Sequence, residues 1–326
     1  MPNRTMTRGL GIAYAIAAAA VAAAPLALNA YWIDVLNSVG LYVLLALSLN
    51  LILGDAGLFN MGHAAFYAVG AYTSAILNTR LEIPILWTLP ASALVAALFA
   101  ALVARPVVHL RGDYLLVVTI GLGEIVRIAL VNDVFGLTGG ANGLFGISRP
   151  TIFGHRLTSR KPQEFLYLIW AFVAVTVFLF HRLEQSRFGR ALNYLREDPI
   201  AAEGSGVNTA RYRLLAFALG AAWAGMTGTL YAAKMTIISP ESFGSWESVV
   251  IFLMVILGGA GSIPGVMLGA ALVVILPELF RGFASARLLV FGLVMMVMMV
   301  FRPQGLLPYR LLRFKESDLR RAEDAP

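Results

Sequence analysis

Long apolar runs separated by short polar segments make up most of the chain. The runs do not alternate as barrel strands do, and most approach the ~20 residues that a membrane-spanning helix needs. Apolar positions that continue over such lengths predict helices. The sequence therefore predicts an all-α integral membrane protein with about ten transmembrane helices, some broken by Gly or Pro, at 10–28, 35–53, 59–77, 85–104, 114–131, 165–180, 214–233, 248–258, 264–280 and 288–301.

Composition supports this class and excludes others. Apolar residues make up 59% of the chain and charged residues 13%, with a mean hydropathy of +0.78. A soluble domain carries about 25% charged residues, so a soluble enzyme, a disordered chain and a coiled coil are excluded. We expect one transmembrane domain over residues 1–326. The first run is longer than the core of a signal peptide, so we expect an uncleaved helix there.

The distribution of basic residues predicts the orientation. The chain has 25 Lys and Arg residues and a net charge of +7. With ten spans and an inner N-terminus, most of them fall on the inner side, above all in the loop 182–213 and the tail 302–326. The positive-inside rule then places both termini in the cytoplasm, with the chain in a bacterial inner membrane. A basic excess in so apolar a chain favours contact with anionic lipid, and not with nucleic acid.

The same rule bears on the eighth and ninth runs. If they formed one helix, the basic tail would lie outside. The sequence therefore predicts two separate helices, with residues 259–263 turning back at the cytoplasmic side.

Several chemistries are excluded by residues that the chain lacks. It contains no cysteine, and its four histidines are too far apart in sequence for a helical metal pair. None of the three lysines follows a glycine, so the chain lacks a phosphate-binding Gly-Lys-Ser/Thr loop. We therefore expect no catalytic residues, no metal site and no cofactor in this chain.

One ion pair is predicted within the membrane. Glu124 and Arg127 lie three residues apart in the fifth run, so they share a helix face and can pair. Charges at this depth usually face the interior of the bundle or a water-filled path. Two interpretations stay open: a pathway or gating pair, and a structural pair that locks two helices together.

Two glycine-rich breaks resemble each other. The pattern Leu-Gly-x-Ala-Gly occurs at Leu53–Gly57 and again at Leu257–Gly261. Paired Gly-interrupted segments often mark a translocation site in transporters, although turns rich in Gly and Ala also look alike by chance. His63 is more simply explained as a hydrogen-bonded packing residue than as a proton carrier. The candidates for the translocation path are Asn60, His63, Glu124, Arg127, Gly258, Gly259 and Gly261.

The polar loop 182–213 carries the clearest functional signal. Asp198 can cap a helix that begins at Pro199, and Gly204 and Gly206 can end it. A short helix at 199–203 is therefore predicted after a longer one at 188–197. These helices have little apolar surface and need a covering partner to be stable. The alternative is an ordinary solvated loop.

These residues resemble a known family. Ala201-Ala202-x-x-x-Gly206 resembles the coupling motif of ABC importer permeases, with Ile200 where that motif has Glu. The surrounding sequence resembles the LivM-type permeases of branched-chain amino-acid importers. The resemblance covers most of the chain from Gly40 to Glu278 and rests on segments 48–54, 62–66, 123–127, 137–140, 189–192, 196–202, 239–243 and 257–262.

The resemblance implies a subunit that cannot work alone. It would pair with a second, LivH-type permease, two cytoplasmic ATPases would bind ATP and Mg²⁺, and an extracytoplasmic binding protein would deliver the amino acid. Ion pairs between charged groups of the coupling loop and the ATPases would transmit the motion. The residues implied in ATPase coupling are Gly189, Arg190, Arg196, Glu197, Asp198, Pro199, Ala201, Ala202 and Gly206.

Two alternatives remain. Related permeases serve urea or short-chain amides, and the residues of this chain do not identify its substrate. An ion-coupled secondary transporter that uses Glu124, Arg127 and His63 as a proton relay belongs to a different class.

Overall fold

The computed structural model describes residues 23–107, 110, 112–134, 136–152, 155–158 and 161–280, together with 292, 293, 296, 300–302 and 304–308. Most of the predicted first and tenth spans and of the predicted tail lies outside the described residues. The α-helices whose bounds are described are α1 Ala30–Asn50, α2 His63–Leu81, α3 Leu89–Val107, α4 Asp113–Val131, α5 Pro162–Gln185, α6 Arg187–Glu197, α7 Pro199–Gly204, α8 Thr209–Met235, α9 Ser245–Gly258 and α10 Ile263–Leu279.

Shorter elements connect these helices. A π-helical turn, Leu51–Asp55, continues α1, and 3-10 turns occupy Ile85–Thr88, Gly140–Asn142 and Pro240–Phe243. Two strands of two residues each, β1 Thr151–Ile152 and β2 His155–Arg156, pair antiparallel in the loop before α5.

Six helical segments of the described part are long and apolar enough to cross a membrane. Helix α10 is apolar but shorter, and α2 is not among the six. The all-helical membrane class is confirmed, whereas the predicted count of about ten spans is not. The six segments are Ala30–Asp55, Ile85–Val107, Asp113–Val131, Pro162–Gln185, Thr209–Met235 and Pro240–Gly258.

Two predicted boundaries are corrected. The break expected at Gly54 begins only after Asp55, because the π-helical turn carries α1 through both residues. The short run predicted at 248–258 is part of a 19-residue segment, since the turn Pro240–Phe243 leads directly into α9.

Helix α1 lies at the centre of the bundle, where it packs against α5, α8, α9 and α10. Small residues allow the helices around it to approach closely, as is common in membranes. A Cβ added to Gly70 of α2 would lie 2.2 Å from the Cα of Gly225 in α8. Hydroxyl groups join the same region, since Thr229 contacts Ser74 at 2.5 Å and donates to Ser92 at 2.7 Å.

Helices α9 and α10 form an antiparallel hairpin. A Cβ on Gly258 would lie 2.3 Å from the carbonyl oxygen of Gly265, and one on Gly269 would lie 2.2 Å from that of Met254. The prediction of two separate helices is therefore confirmed.

Candidate functional site

Helix α6 is fixed to the end of α5 by a cap and a close glycine contact. The Ser186 hydroxyl oxygen accepts from the backbone N–H of Gly189 at 3.2 Å, which caps the helix. A Cβ on Gly189 would lie 2.4 Å from the carbonyl oxygen of Leu183, so a side chain cannot fit there. Leu192 and Leu195 bury the inner face of α6.

Helix α7 begins and ends as its sequence predicts. Asp198 Oδ1 accepts from the backbone N–H of Ile200 at 2.8 Å and of Ala201 at 3.2 Å. At the other end, Gly206 has a φ of +81°, and the N–H of Val207 donates to the Ala202 carbonyl at 3.0 Å. This is a Schellman-type end, which requires a left-handed residue and so favours glycine. Both predicted helices of the loop are therefore confirmed.

The outer surface of α6 and α7 leaves apolar side chains uncovered. Tyr194 is 60% exposed and Ile200 is 70% exposed, with exposed Glu197 and Asp198 between them. We call these four residues the outer face of the loop. Ala202 is buried beneath it.

Two arginines of the loop, Arg190 and Arg196, bond to their own chain. The guanidinium of Arg196 donates to the carbonyl of Gly54 and attracts the carboxylate of Asp55. Gly57 packs against the Arg196 side chain, since an added Cβ would lie 2.9 Å from its Cγ. Arg190 Nη1 donates to the carbonyl of Gln185 at 2.8 Å. Arg196 thus links α6 to the end of α1.

The two Leu-Gly-x-Ala-Gly segments meet at this end of the bundle. Asn50 Oδ1 accepts from the backbone N–H of Gly261 at 2.8 Å, and a Cβ on Gly54 would lie 2.3 Å from that same nitrogen. Gly259 has a φ of +110° and Gly261 a φ of +86°, so both turn positions favour glycine. We call the contact between Gly54 and Gly258–Gly261 the glycine junction.

A later segment of the chain also packs on the glycine junction. The backbone N–H of Leu306 donates to the Leu257 carbonyl at 2.9 Å, and that of Leu307 donates to the Gly258 carbonyl at 3.1 Å. The junction therefore gathers three separate parts of the sequence.

Asn60 and His63 are fully buried where the segment after α1 enters α2. Asn60 Oδ1 accepts from the Gly62 N–H at 2.9 Å, and His63 Nε2 lies 2.7 Å from the Ser48 hydroxyl. Among the described residues, neither Asn60 Nδ2 nor His63 Nδ1 has a hydrogen-bond partner. The contact with Ser48 agrees with His63 as a hydrogen-bonded packing residue.

The predicted pairing of Glu124 and Arg127 is confirmed. Arg127 Nε lies 3.0 Å and Nη2 2.5 Å from Glu124 Oε1. The Ser245 hydroxyl donates to Glu124 at 3.2 Å, and Arg127 reaches Glu241 at 3.4 Å. The pair thus connects α4 to the start of α9, and it does not contact the glycine junction. A structural role and a gating role for this pair both stay predictions.

Sequence analysis missed Glu247, a carboxylate inside the candidate span Pro240–Gly258. The apolar run that predicts this span begins only at residue 248. The Pro240 that opens the segment was the available signal, since a span beginning there includes Glu247.

These features define a multi-pass helical membrane protein with a pair of short helices at one end of the bundle. A family model described as branched-chain amino acid transport system / permease component matches residues 31–302, and the chain belongs to this family.

Named relatives agree with the family. The high-affinity branched-chain amino acid transport system permease protein LivM of Salmonella typhimurium is 41% identical, covering 85% of this chain and 70% of its own. LivH of Escherichia coli is 29% identical over 82% of this chain and 91% of its own. A probable LivM of Methanocaldococcus jannaschii is 26% identical with the same coverage. No solved structure matches the chain.

Proposed function

We propose that the chain is the LivM-type permease subunit of an ABC importer that moves branched-chain or related apolar amino acids into the cell. It acts with a LivH-type permease, two cytoplasmic ATPases that bind ATP and Mg²⁺, and an extracytoplasmic binding protein. The likeness to both LivM and LivH supports the pairing of two different permeases. The proposal rests on the loop that contains α6 and α7. Its outer face is exposed, and its inner side bonds to the end of α1 through Arg196.

The outer face of the loop is suited to docking an ATPase. Tyr194 and Ile200 expose apolar surface on helices too short to be stable alone. Glu197 and Asp198 lie between them and offer carboxylates to basic groups of a partner. Gly189, Pro199, Ala201, Ala202 and Gly206 shape the two helices that present this face.

The inner side of the loop passes motion to the membrane helices. When the ATPases close, they push α7, and α6 moves with it. Arg196 carries this displacement to Gly54 and so to the glycine junction, where α1 meets the hairpin of α9 and α10. Asn60, His63, Gly258, Gly259 and Gly261 are therefore the residues next to the elements that move. In this arrangement the helices rock between inward-open and outward-open states.

This mechanism places the loop in the cytoplasm. The loop 182–213 is rich in arginine, as the positive-inside rule requires of an inner segment. Both chain termini then lie in the cytoplasm, and the protein resides in a bacterial inner membrane.

Transport by the complete complex tests the function. Proteoliposomes that contain both permeases and the ATPases should accumulate labelled leucine only with ATP inside and the binding protein outside. Urea and acetamide should not compete. Uptake driven by an ion gradient without ATP would overturn the importer proposal, and competition by urea or acetamide would overturn the substrate class.

Gly206 provides a direct test of coupling. Gly206→Val forces a β-branched residue into the left-handed region, at a cost of about 1–2 kcal/mol or more, and distorts the end of α7. We expect substrate-stimulated ATPase activity to be abolished while the complex still assembles on size-exclusion chromatography. Gly204→Val is the matched control, because Gly204 also has open space around it but no positive φ. Normal stimulation in Gly206→Val would show that α7 does not couple.

A further inference from the structure

A cavity of about 250 Å³ lies among α1, α2, α8 and α9, away from the glycine junction. Its polar lining includes Tyr42, Tyr67, Tyr231 and the carboxylate of Glu247. Glu247 precedes Gly258 by eleven residues, which is ~16 Å along α9. This carboxylate therefore lies well inside the candidate span Pro240–Gly258.

Glu247 lacks a cationic partner in the part of the chain that the structure describes. Glu247 is absent from the ion pairs described there, such as Glu124 and Glu241 with Arg127 and Asp34 with Lys234. Glu247 instead lines the same cavity as the hydroxyl-bearing side chain of Tyr42. It lies in the first turn of α9, where the helix dipole favours a negative charge. A carboxylate at this depth is expensive to maintain and is expected to have a partner.

The residues that line the cavity indicate which kind of cation would pair with Glu247. Ca²⁺ sites are built from carboxylates, carbonyls and waters, whereas this lining offers one carboxylate and otherwise hydroxyl groups. Aromatic rings surround the same space, since Tyr67 and Tyr231 lie edge to face with centroids 5.5 Å apart. Such rings attract organic cations. A primary ammonium group, with three N–H donors, matches one carboxylate and several hydroxyl oxygens.

The rest of the cavity matches the remainder of an amino acid. Leu45 and Met235 supply apolar wall. At the other end lies Ser38, whose hydroxyl accepts from Lys234 at 3.3 Å, while the same ammonium group pairs with Asp34 at 3.0 Å. Ser38 and Tyr42 are one helical turn apart on α1. The cavity thus has a carboxylate at one end, a serine hydroxyl at the other and an apolar side.

We propose that this cavity binds the primary ammonium group of a small apolar amino acid at Glu247, within this single subunit. The ammonium hydrogen bonds to the Glu247 carboxylate beside Tyr42, and the carboxylate of the amino acid points towards the Ser38 hydroxyl. That the amino acid is the cargo rests on the proposed function, whereas recognition of a primary ammonium does not.

Binding to the assembled transporter tests the site. The complex is placed in phosphatidylcholine nanodiscs without the binding protein, and equilibrium binding of labelled isopentylamine and labelled leucine is measured. Glu247→Gln keeps the shape but removes the charge, and we expect at least a tenfold loss of affinity for both. Glu241→Gln is the matched control, because that carboxylate is 79% exposed outside the cavity. We expect parental affinity in the control.

A second comparison needs no variant. Isopentylamine should compete with leucine, and 4-methylpentanoate, which has the carboxylate but no ammonium, should not. Unchanged binding in Glu247→Gln, or equal competition by 4-methylpentanoate, would overturn the proposal. If the Glu247→Gln complex fails to assemble, the competition experiment on the parental complex tests the proposal by itself.

Further arms separate the possible sources of the ammonium group. If phosphatidylethanolamine in the nanodisc displaces isopentylamine, the site belongs to a lipid headgroup, and its assignment to an amino acid is overturned. If the amine binds through Glu247 but the complex transports no apolar amino acid, the proposed function fails while recognition of ammonium stands.

Discussion

Helices α1 and α4 are equally apolar but have opposite surroundings. The spans that contain them both reach a mean hydropathy of 2.0, yet 83% of the first is buried inside the chain and 17% of the second. The polar groups of α1, such as Asn50 and Ser48, bond to other elements of the same chain. Glu124 and Arg127 of α4 remain partly exposed at its surface. Hydropathy therefore predicts that a helix spans the membrane and says nothing about its neighbours.

This contrast has a consequence for assembly. A lipid-facing helix gains nothing from charges, since unpaired charges in hydrocarbon are costly. The partly exposed pair on α4 is thus a feature that its own chain does not fully cover. In α1, by contrast, packing within the chain accounts for the polar residues.

The largest expected effect comes from filling the glycine junction. In Gly54→Val, the new Cβ would lie 2.1 Å from Asn50 Oδ1 and 2.3 Å from the Gly261 nitrogen. We expect a loss of about 3 kcal/mol or more, because overpacking at a backbone contact cannot be relieved by a rotamer change. The measurement is the melting temperature of the purified complex and its yield. Gly121→Val on α4 is the control, since nothing lies within 4 Å of its Cβ. An equal fall in melting temperature in both variants would show that α1 and α4 do not differ in how tightly they pack within the chain.

Much of the fold follows from the sequence for a physical reason. In a membrane the backbone must satisfy its own hydrogen bonds, so a long apolar run has to form a helix. Asp198-Pro199 and Gly206 likewise act through local geometry, and the bounds of α7 were predicted within a residue.

Other features depend on contacts between distant residues. The π-helical turn through Gly54 fits against Gly261, which is more than two hundred residues away. The Arg196 side chain points towards the membrane helices because it donates a hydrogen bond to the Gly54 carbonyl. Local sequence patterns do not encode such contacts. The sequence therefore predicts two similar glycine-rich breaks, but it does not predict that the two segments touch.

A smaller effect is expected from the hydrogen bond across the junction. Asn50→Leu removes the acceptor of the Gly261 N–H and leaves a buried donor unsatisfied, at a cost of about 1–3 kcal/mol. Asn132→Leu, just beyond α4, removes an exposed hydrogen bond to the Ile128 carbonyl and should cost less than about 0.5 kcal/mol. Thermal denaturation of the two complexes compares them. If Asn132→Leu lowers the melting temperature more than Asn50→Leu does, burial of the hydrogen bond does not determine the loss of stability.

The ion pair of α4 should show a still smaller effect on stability. Arg127→Leu leaves Glu124 without its counter-ion, so we expect a lower melting temperature than in the parent. The double variant Glu124→Leu/Arg127→Leu should recover much of the loss, because no unpaired charge remains. This outcome supports the structural interpretation. If transport stays impaired in the double variant while its melting temperature recovers, the pair acts in gating.

The smallest effect concerns the loop that follows α4. Asp133 Oδ1 accepts from the backbone N–H of Thr138 at 2.7 Å and from its hydroxyl at 2.9 Å. These hydrogen bonds from Thr138 hold the pKa of Asp133 below its ordinary value. A lowered pKa means that the stabilisation is fully present above the ordinary aspartate value and is lost as the pH falls through the folded pKa.

Amide hydrogen exchange of residues 136–138 measures this effect. Protection of Thr138, corrected for the intrinsic pH dependence of exchange, should be constant from neutral pH down to about 4. It should then fall at more acidic pH. In Asp133→Asn the corrected protection should be lower throughout and show no such acidic step. Because the carboxylate is at the surface, the glycine junction should keep its protection over the same range. A parallel acidic loss at Gly261 would show that the end of α4 and the buried end of α1 are coupled, which the contacts between them do not predict.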